Sequence, residues 1–173
     1  FVTYGGMSGR DLEALAIGLH EGIDEEYLKY RIEQVRYLGE ELSKRGIPII
    51  LPTGGHGVYV DAQKFYPHIP QNEFPGQALV VELYKTAGVR GVELGSCAFS
   101  KKDKETGAII YPDLELVRLT VSRRVYTHRH MDVVIKALED VYKRRSQMKG
   151  LKLTYEGPII SLRHFTAKFK QIT

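Results

Sequence analysis

Apolar residues recur at helical spacing in three parts of the chain. One stretch covers residues 11–21, and a longer one extends from Asp24, a residue type that caps helices, to Arg45 before Gly46. A third stretch follows Thr127, where the i, i+3, i+4 and i+7 positions are all apolar. These patterns predict three amphipathic helices. The predicted core faces of the second and third are Leu28, Ile32, Val35, Leu38 and Leu42, and Met131, Val134, Ile135, Leu138, Val141 and Tyr142, respectively.

The segments between these helices have the composition of short strands. A pair at 48–51 and 58–61 would form a hairpin across the glycine-rich turn 53–57. Pro75 predicts the start of a further helix that ends near Gly88, because proline is favoured in the first helical turn. The other predicted strands are 89–94, 114–121 and two terminal segments in which Leu151, Leu153 and Tyr155, and then Phe165, Ala167 and Phe169, share one side. Together these elements predict an α/β protein whose helices cover one side of a sheet of mixed strand directions.

Composition narrows the classes of function. The chain has 173 residues, 43% of them hydrophobic and 27% charged, which is typical of a globular domain. No apolar run reaches the roughly 18 residues of a spanning helix, so no membrane is expected as a partner. The net charge of +4 is dispersed among acidic residues, which argues against nucleic acid as a partner. The single cysteine, Cys97, cannot form an internal disulfide and favours a cytoplasmic location.

Arg118 is the most informative charged residue. It lies in the predicted strand 114–121 on the side of Leu114 and Leu116, while the apolar residues between them line the other side. A guanidinium buried in such a strand requires an anionic partner, and its planar shape matches a carboxylate through two hydrogen bonds. The alternative is a solvent-facing position on a sheet edge, and the pattern favours neither.

Other candidate residues carry weaker signals. The turn 53–57 lacks the Lys-Ser/Thr pair of a phosphate-binding loop, so His56 is more simply explained as a turn residue than as a base. His128 and His130 are two residues apart at a helix start and do not share a face, so no metal is expected. Residues 100–107 are predicted as a solvated loop, in which lysines are poor candidates for covalent catalysis.

Seven segments stand out when they are read in order along the chain. They are Thr3-Tyr4-Gly5-Gly6, Tyr30-Arg31-Ile32-Glu33-Gln34-Val35, Gly54-Gly55-His56, Val117-Arg118-Leu119-Thr120, Arg123-Arg124-Val125-Tyr126-Thr127, His130-Met131-Asp132 and Leu162-Arg163-His164-Phe165-Thr166-Ala167. Together they resemble the C-terminal part of the β-eliminating lyases, the family of tryptophanase and tyrosine phenol-lyase. The resemblance extends over essentially the whole chain, which a short motif match would not do.

The resemblance implies a fold-type-I enzyme, similar to the aspartate aminotransferases, that uses pyridoxal phosphate (PLP). Such enzymes cleave the Cβ–Cγ bond of an aromatic amino-acid substrate. The lysine that binds PLP would precede this chain, so the chain alone is expected to be inactive. Residues 1–23 would end the large cofactor-binding domain, 24–46 would form a long bridging helix, and 47–173 would form the C-terminal small domain, an α+β unit. The family also implies a monovalent cation such as potassium and a homotetramer.

The resemblance assigns roles to five residues. Arg118 matches the arginine that binds the α-carboxylate of the substrate. Val92, Leu94 and Phe165 match side chains along the aromatic end of the substrate. His164 matches a catalytic residue that helps to orient the leaving group, although its local pattern alone indicates only an ordinary surface histidine.

Two of these positions separate the activities within the family. Phenol-lyases have an arginine where this chain has Leu94 and a phenylalanine where it has His164, so both positions resemble tryptophanase. The full-length protein is therefore expected to convert tryptophan to indole, pyruvate and ammonia. One alternative is a tyrosine phenol-lyase, and another is a non-catalytic module that keeps the small-domain fold for binding or assembly.

Overall fold

Helices and short strands alternate along residues 5–159 and 162–172, which are the residues described by a computed structural model. The helices are α1 (Gly9–Gly22), α2 (Glu25–Lys44), α3 (Ala62–Phe65), α4 (Pro75–Ala87), α5 (Ser96–Phe99), α6 (His128–Lys143) and α7 (Arg163–Thr166). The strands are β1 (Gly57–Asp61), β2 (Val92–Leu94), β3 (Lys101–Lys102), β4 (Ile109–Ile110), β5 (Leu116–Thr120), β6 (Leu151–Tyr155) and β7 (Lys168–Gln171). Thr3 and Tyr4 of the first resembling segment lie outside the described residues. None of the described helices combines the length and the apolar character needed to cross a membrane.

The four predicted long helices are confirmed, and their ends follow the expected local chemistry. Asp24 caps α2, because its carboxylate accepts the backbone N–H of Tyr27 at 2.9 Å. Thr127 and His130 cap α6 reciprocally, and the Thr127 backbone N–H donates to Nδ1 of His130 at 3.1 Å. Pro75 occupies the first turn of α4. These ends were predictable because each depends on residues only a few positions apart.

Only the C-terminal half of α2 enters the core. Val35, Leu38 and Leu42 are buried, and α2 packs against α6 and β1. Leu28 and Ile32 were predicted on the same stripe but are exposed. Within the described residues the first half of α2 lies beside α1, which has no buried residue of its own, so this part of the stripe finds little to pack against.

The central sheet has three strands in the order β1-β5-β2. Its register places Arg118 opposite Tyr59 of β1 and opposite Val92 of β2. Residues that are directly opposite in neighbouring strands point to the same face, so these three form a row. Val60 and Val117 point to the other face and are fully buried in the core with residues of α2, α4 and α6. The predicted arrangement of helices on one side of a sheet is therefore confirmed.

The predicted mixture of strand directions is wrong for the described residues, where every strand pair is antiparallel. Helices α3 and α4 do connect two parallel strands, β1 and β2, as a crossover should. However, β5 lies between these two strands and is antiparallel to both. The other pairs, β3–β4 and β6–β7, complete the small sheets of an α+β arrangement.

Two predicted strand segments are much shorter than expected, and one predicted loop contains a strand. Residues 48–51 form a single bridge between Ile49 and Val60 rather than a strand, although the predicted hairpin direction is correct. The 89–94 segment is a strand only over Val92–Leu94. In the predicted loop at 100–107, β3 pairs with β4, and both lysines of β3 are exposed.

The predicted strand around Phe165 is also wrong. Phe165 lies in the single-turn helix α7, and β7 begins only at Lys168. The turn is closed by a hydrogen bond from the backbone N–H of Ala167 to the carbonyl of Arg163 at 2.9 Å. The side chain of Arg163 is fixed on α5, some 65 positions earlier in the chain, and alternation within the segment carries no sign of that contact.

Candidate active site

The face of the sheet opposite the core carries three of the residues assigned by resemblance. Arg118 and Val92 lie directly opposite each other, and Leu94 is opposite Leu116 in the next row on the same face. Tyr59 completes the Arg118 row on the β1 side. All five side chains are half-buried, so this face forms a partly sheltered surface with one cationic group at its centre.

Arg118 has an unsatisfied hydrogen-bond donor. Its Nε atom is buried and has no partner, and no ion pair involves Arg118 within residues 5–159 and 162–172. The alternative position on a sheet edge is wrong, because β5 is the central strand. A buried donor without an acceptor costs on the order of 1–3 kcal/mol. A bound carboxylate would satisfy this donor.

Glu93 lies between Val92 and Leu94 but points to the opposite face, where it pairs in register with Val117. Its side chain is 1% exposed. The two carboxylate oxygens accept the backbone N–H groups of Cys97 at 2.9 Å and Ala98 at 3.0 Å, at the start of α5. Burial is the largest cause that raises the pKa of Glu93, to about 7, and the nearby carboxylate of Glu115 raises it further. Glu93 therefore changes its charge near neutral pH.

His164 lies against Glu93. Its Nδ1 atom is 3.6 Å from Oε2 of Glu93, is buried, and has no hydrogen-bond partner among the described residues. Burial lowers the pKa of His164, which favours the neutral form of the ring. Phe165 packs its ring edge-on at 5.2 Å from that of His164 and is 81% exposed. No hydrogen bond or ion pair joins His164 to Arg118 in the described part of the chain.

Arg163 fixes the position of α7. Its guanidinium is nearly buried and donates to the carbonyls of Cys97 at 2.8 Å, Ser96 at 2.9 Å and Ser100 at 3.2 Å. It also forms an ion pair with Glu156 at 3.2 Å. Because these carbonyls belong to α5 or follow it directly, Arg163 holds its neighbour His164 close to the strand that carries Glu93.

Glu93, Cys97 and His164 place an oxygen, a sulfur and a nitrogen atom within 4.8 Å of one another. The sequence predicts no metal site and gives no sign of this group, whose donor types could hold an ion such as zinc. However, both oxygens of Glu93 already accept backbone hydrogen bonds, and burial raises the pKa of the Cys97 thiol to about 12. These features favour a hydrogen-bonded cluster over an ion site.

Sequence reasoning missed Glu93, Glu115 and Arg163. Glu93 and Glu115 could have been noticed as acidic residues within or next to apolar strands, by the same argument that singled out Arg118. Arg163 gave no comparable signal, because its partners are backbone carbonyls far away in the sequence.

Gly95 is the point at which the two buried carboxylates approach the backbone. A Cβ atom at this position would lie 2.8 Å from Cδ of Glu115 and 2.9 Å from Oε1 of Glu93, and closer still to Oε2 of Glu115. We expect Gly95→Ala to destabilise the chain by about 2 kcal/mol, measured by urea unfolding, because overpacking of this kind displaces buried hydrogen-bonded groups. Gly54→Ala is the matched control, since nothing lies within 4 Å of a Cβ there. Equal effects of the two substitutions would contradict the prediction.

Comparison with known proteins identifies the family of this chain. Residues 14–137 match the model of the beta-eliminating lyase family. Similar proteins include a tyrosine phenol-lyase of Symbiobacterium thermophilum, 52% identical over 99% of this chain and 37% of its own length. They also include a tryptophanase of Salinibacter ruber, 49% identical over 98% of this chain and 35% of its own length. A tryptophanase of Hyphomonas neptunium is 47% identical over 99% of this chain and 37% of its own length. The chain belongs to the β-eliminating lyase family, and it spans little more than a third of the length of these relatives.

Proposed function

We propose that this chain is the C-terminal part of a PLP-dependent lyase that converts tryptophan to indole, pyruvate and ammonia. Family membership supports the reaction class. The single observation that carries the proposal is the buried Nε of Arg118, which has no acceptor among the described residues and fits the carboxylate of an amino-acid substrate.

The residues of this chain would bind and orient the substrate. Two hydrogen bonds from Arg118 to the α-carboxylate would fix the amino acid, so that the bonds at Cα adopt one orientation. PLP, held mainly by the part of the enzyme outside this chain, supplies the electron sink for the reaction when it is bound. Val92 lies opposite Arg118 in the sheet and would limit the positions open to the substrate.

Leu94 favours tryptophan over tyrosine. Its apolar side chain lies on the Arg118 face and cannot form a hydrogen bond with a phenol hydroxyl, whereas indole has no hydroxyl group that needs a partner. His164 would hydrogen-bond the leaving group as the catalytic residue, and Phe165, which is largely exposed in this chain, would cover the aromatic end of the substrate. The same site with a tyrosine substrate is the second candidate, since relatives at about the same identity are named tyrosine phenol-lyases.

The exposure of α1 supports the proposed division into domains. Leu12, Leu15 and Leu19 are all exposed, although their spacing is that of a core-facing stripe. We propose that residues 1–23 pack against the large PLP-binding domain, that α2 bridges the domains, and that 47–173 form the small domain of a fold-type-I enzyme. We also propose that the full-length protein is a cytoplasmic homotetramer that binds a monovalent cation such as potassium, as the resemblance to the family implies.

Turnover by the full-length protein tests the proposed function. With PLP and potassium present, we expect release of indole from tryptophan to exceed release of phenol from tyrosine, and no turnover by the 173-residue chain alone. The opposite preference would support the phenol-lyase alternative. A full-length protein that binds PLP but acts on neither substrate would contradict the proposal and support a non-catalytic module.

A further inference from the structure

We infer that Glu93 is a positioning residue of the proposed lyase, whose carboxylate accepts the Nδ1–H of His164 and so leaves Nε2 free to accept the N–H of an indole ring. This inference rests on the proposed function, because it gives His164 a partner within the same site. Nothing in the sequence assigns a role to Glu93, which lies in a strand otherwise lined by substrate-facing residues.

The position of the Glu93 side chain is fixed by contacts with α5 and α4. The carboxylate is fully buried and accepts two backbone hydrogen bonds from α5, so it cannot turn away from the histidine without breaking them. Its Cγ lies 3.1 Å from the position of a Cβ on Gly76, so α4 closes the other side. Oε1 accepts from Cys97 and Oε2 accepts from Ala98, and Oε2, which can accept a second hydrogen bond, is the atom nearest to His164.

His164 is brought to this oxygen by its neighbour. Arg163 donates to three carbonyls at α5 and anchors the turn of α7, which restricts the histidine to one region. The 3.6 Å between Nδ1 and Oε2 is longer than a hydrogen bond, so the inference requires the ring to rotate toward Oε2 in the substrate complex. Catalytic hydrogen bonds are often long without substrate and shorten when the complex forms. Nδ1 has no other partner among the described residues, so this contact is the one open to it.

The charge of Glu93 then decides which ring nitrogen of His164 carries the proton. Since the pKa of Glu93 is raised to about 7, its carboxylate is ionised above that pH and accepts Nδ1–H. Below that pH the carboxyl group is protonated and donates to Nδ1, which moves the ring proton to Nε2 and removes the acceptor that indole needs. Burial lowers the pKa of His164 itself, which favours its neutral form in this range.

Other charged or titratable groups surround Glu93 and take part in its titration. Glu115 of the β5 side raises the pKa of Glu93, and it accepts hydrogen bonds from the Ser96 backbone N–H at 2.9 Å and from the Ser96 hydroxyl. On α5, the Cys97 thiol faces Glu93 and stays protonated, since its pKa is raised to about 12. On α7, the charge of Arg163 is directed to carbonyls and to Glu156 rather than to Glu93.

The protonation of His164 can be read without enzyme activity. In the full-length protein labelled with ¹⁵N-histidine, we expect the His164 signals, assigned by their loss in His164→Phe, to shift from the Nε2–H to the Nδ1–H form as the pH rises through about 7. In Glu93→Gln the amide donates to Nδ1, so the Nε2–H form should persist at every neutral pH. An Nδ1–H signal that is unchanged in Glu93→Gln would overturn the inference, and so would an Nε2–H form above pH 7 that depends on added zinc and is reversed by a chelator.

Activity of the full-length protein provides the second arm. Glu93→Gln should lower kcat for tryptophan by about tenfold or more with little change in KM, and abolish the rise of kcat near pH 7. Glu93→Asp should restore part of both, because it keeps the carboxylate. Glu105→Gln is the matched control, as Glu105 lies in the exposed 103–108 turn. If the ¹⁵N signals change as expected but kcat does not, the proposed role of His164 is wrong. If the Glu93→Gln enzyme is fully active and its ¹⁵N signals are unchanged, only the positioning role of Glu93 is wrong.

Discussion

Replacing Arg118 by methionine in the full-length protein is expected to lower kcat/KM for tryptophan by roughly 100- to 10,000-fold. The substitution removes two charge-assisted hydrogen bonds to the substrate carboxylate, each worth about 1.5–3 kcal/mol, and a loss of about 1.4 kcal/mol corresponds to tenfold. Methionine keeps the length of an unbranched side chain, so Tyr59 and Val92 retain a neighbour of similar shape. Steady-state assays with tryptophan measure the effect.

The same substitution should not destabilise the fold. The buried Nε of Arg118 has no acceptor among the described residues, so its removal costs no internal hydrogen bond. We expect the urea midpoint of Arg118→Met to equal or exceed that of the unchanged chain. Arg129→Met is the matched control, since Arg129 is exposed on α6, and it should leave kcat/KM within about twofold, as is usual for surface substitutions. A large loss of stability in Arg118→Met, or full activity, would contradict a carboxylate-binding role.

Helices were the most predictable part of this fold because their signals are local. Asp24, Pro75 and Thr127 mark helix starts, and each acts on residues within one turn. The apolar face of α6 was predicted except for the buried Ala137, since its spacing is regular and the helix packs on the core along its length. The same periodicity is present in α2, but it does not show how far along the helix other elements pack against it. Leu28 and Ile32 continue the apolar stripe beyond that point and are exposed.

Strand directions and the terminal helix α7 could not be predicted, because they depend on contacts between distant residues. The position of β5 between β1 and β2 follows from how the whole core packs. Phe165 was predicted in a strand from alternation alone, but the anchoring of Arg163 on α5 winds this segment into a turn. A segment of four residues has too weak a propensity to oppose such tertiary contacts.

The candidate site was predicted in part by burial arguments and in part by resemblance. Alternation in one strand was enough to separate Arg118 from the core-facing Val117, and the structure agrees. The roles of Leu94 and His164 came only from resemblance and are still predictions. Glu93 shows what the sequence could not predict. A glutamate in a short apolar strand indicates a buried carboxylate, but it does not identify His164 as the neighbouring side chain.

Exchange of Leu94 and His164 for the residues of phenol-lyases should change substrate preference. We expect the double variant Leu94→Arg/His164→Phe of the full-length protein to lower the ratio of kcat/KM for tryptophan to that for tyrosine by about 100-fold or more. A guanidinium at position 94 could pair with a phenol hydroxyl, but with indole it would be desolvated without a partner. Phenylalanine at position 164 removes the nitrogen proposed to accept the indole N–H. Parallel assays of indole and phenol release measure the ratio.

The two single variants show whether the positions act together. If Leu94 and His164 contact opposite parts of one bound ring, their effects on the ratio should not add, whereas two independent sites would give additive changes. Val133→Arg is the control for the new charge, because Val133 is exposed on α6, which packs on the core side of the sheet, and the new guanidinium therefore lies away from the Arg118 face. An unchanged ratio in the double variant, with a fold that remains stable, would place the determinants of specificity in the part of the enzyme outside this chain.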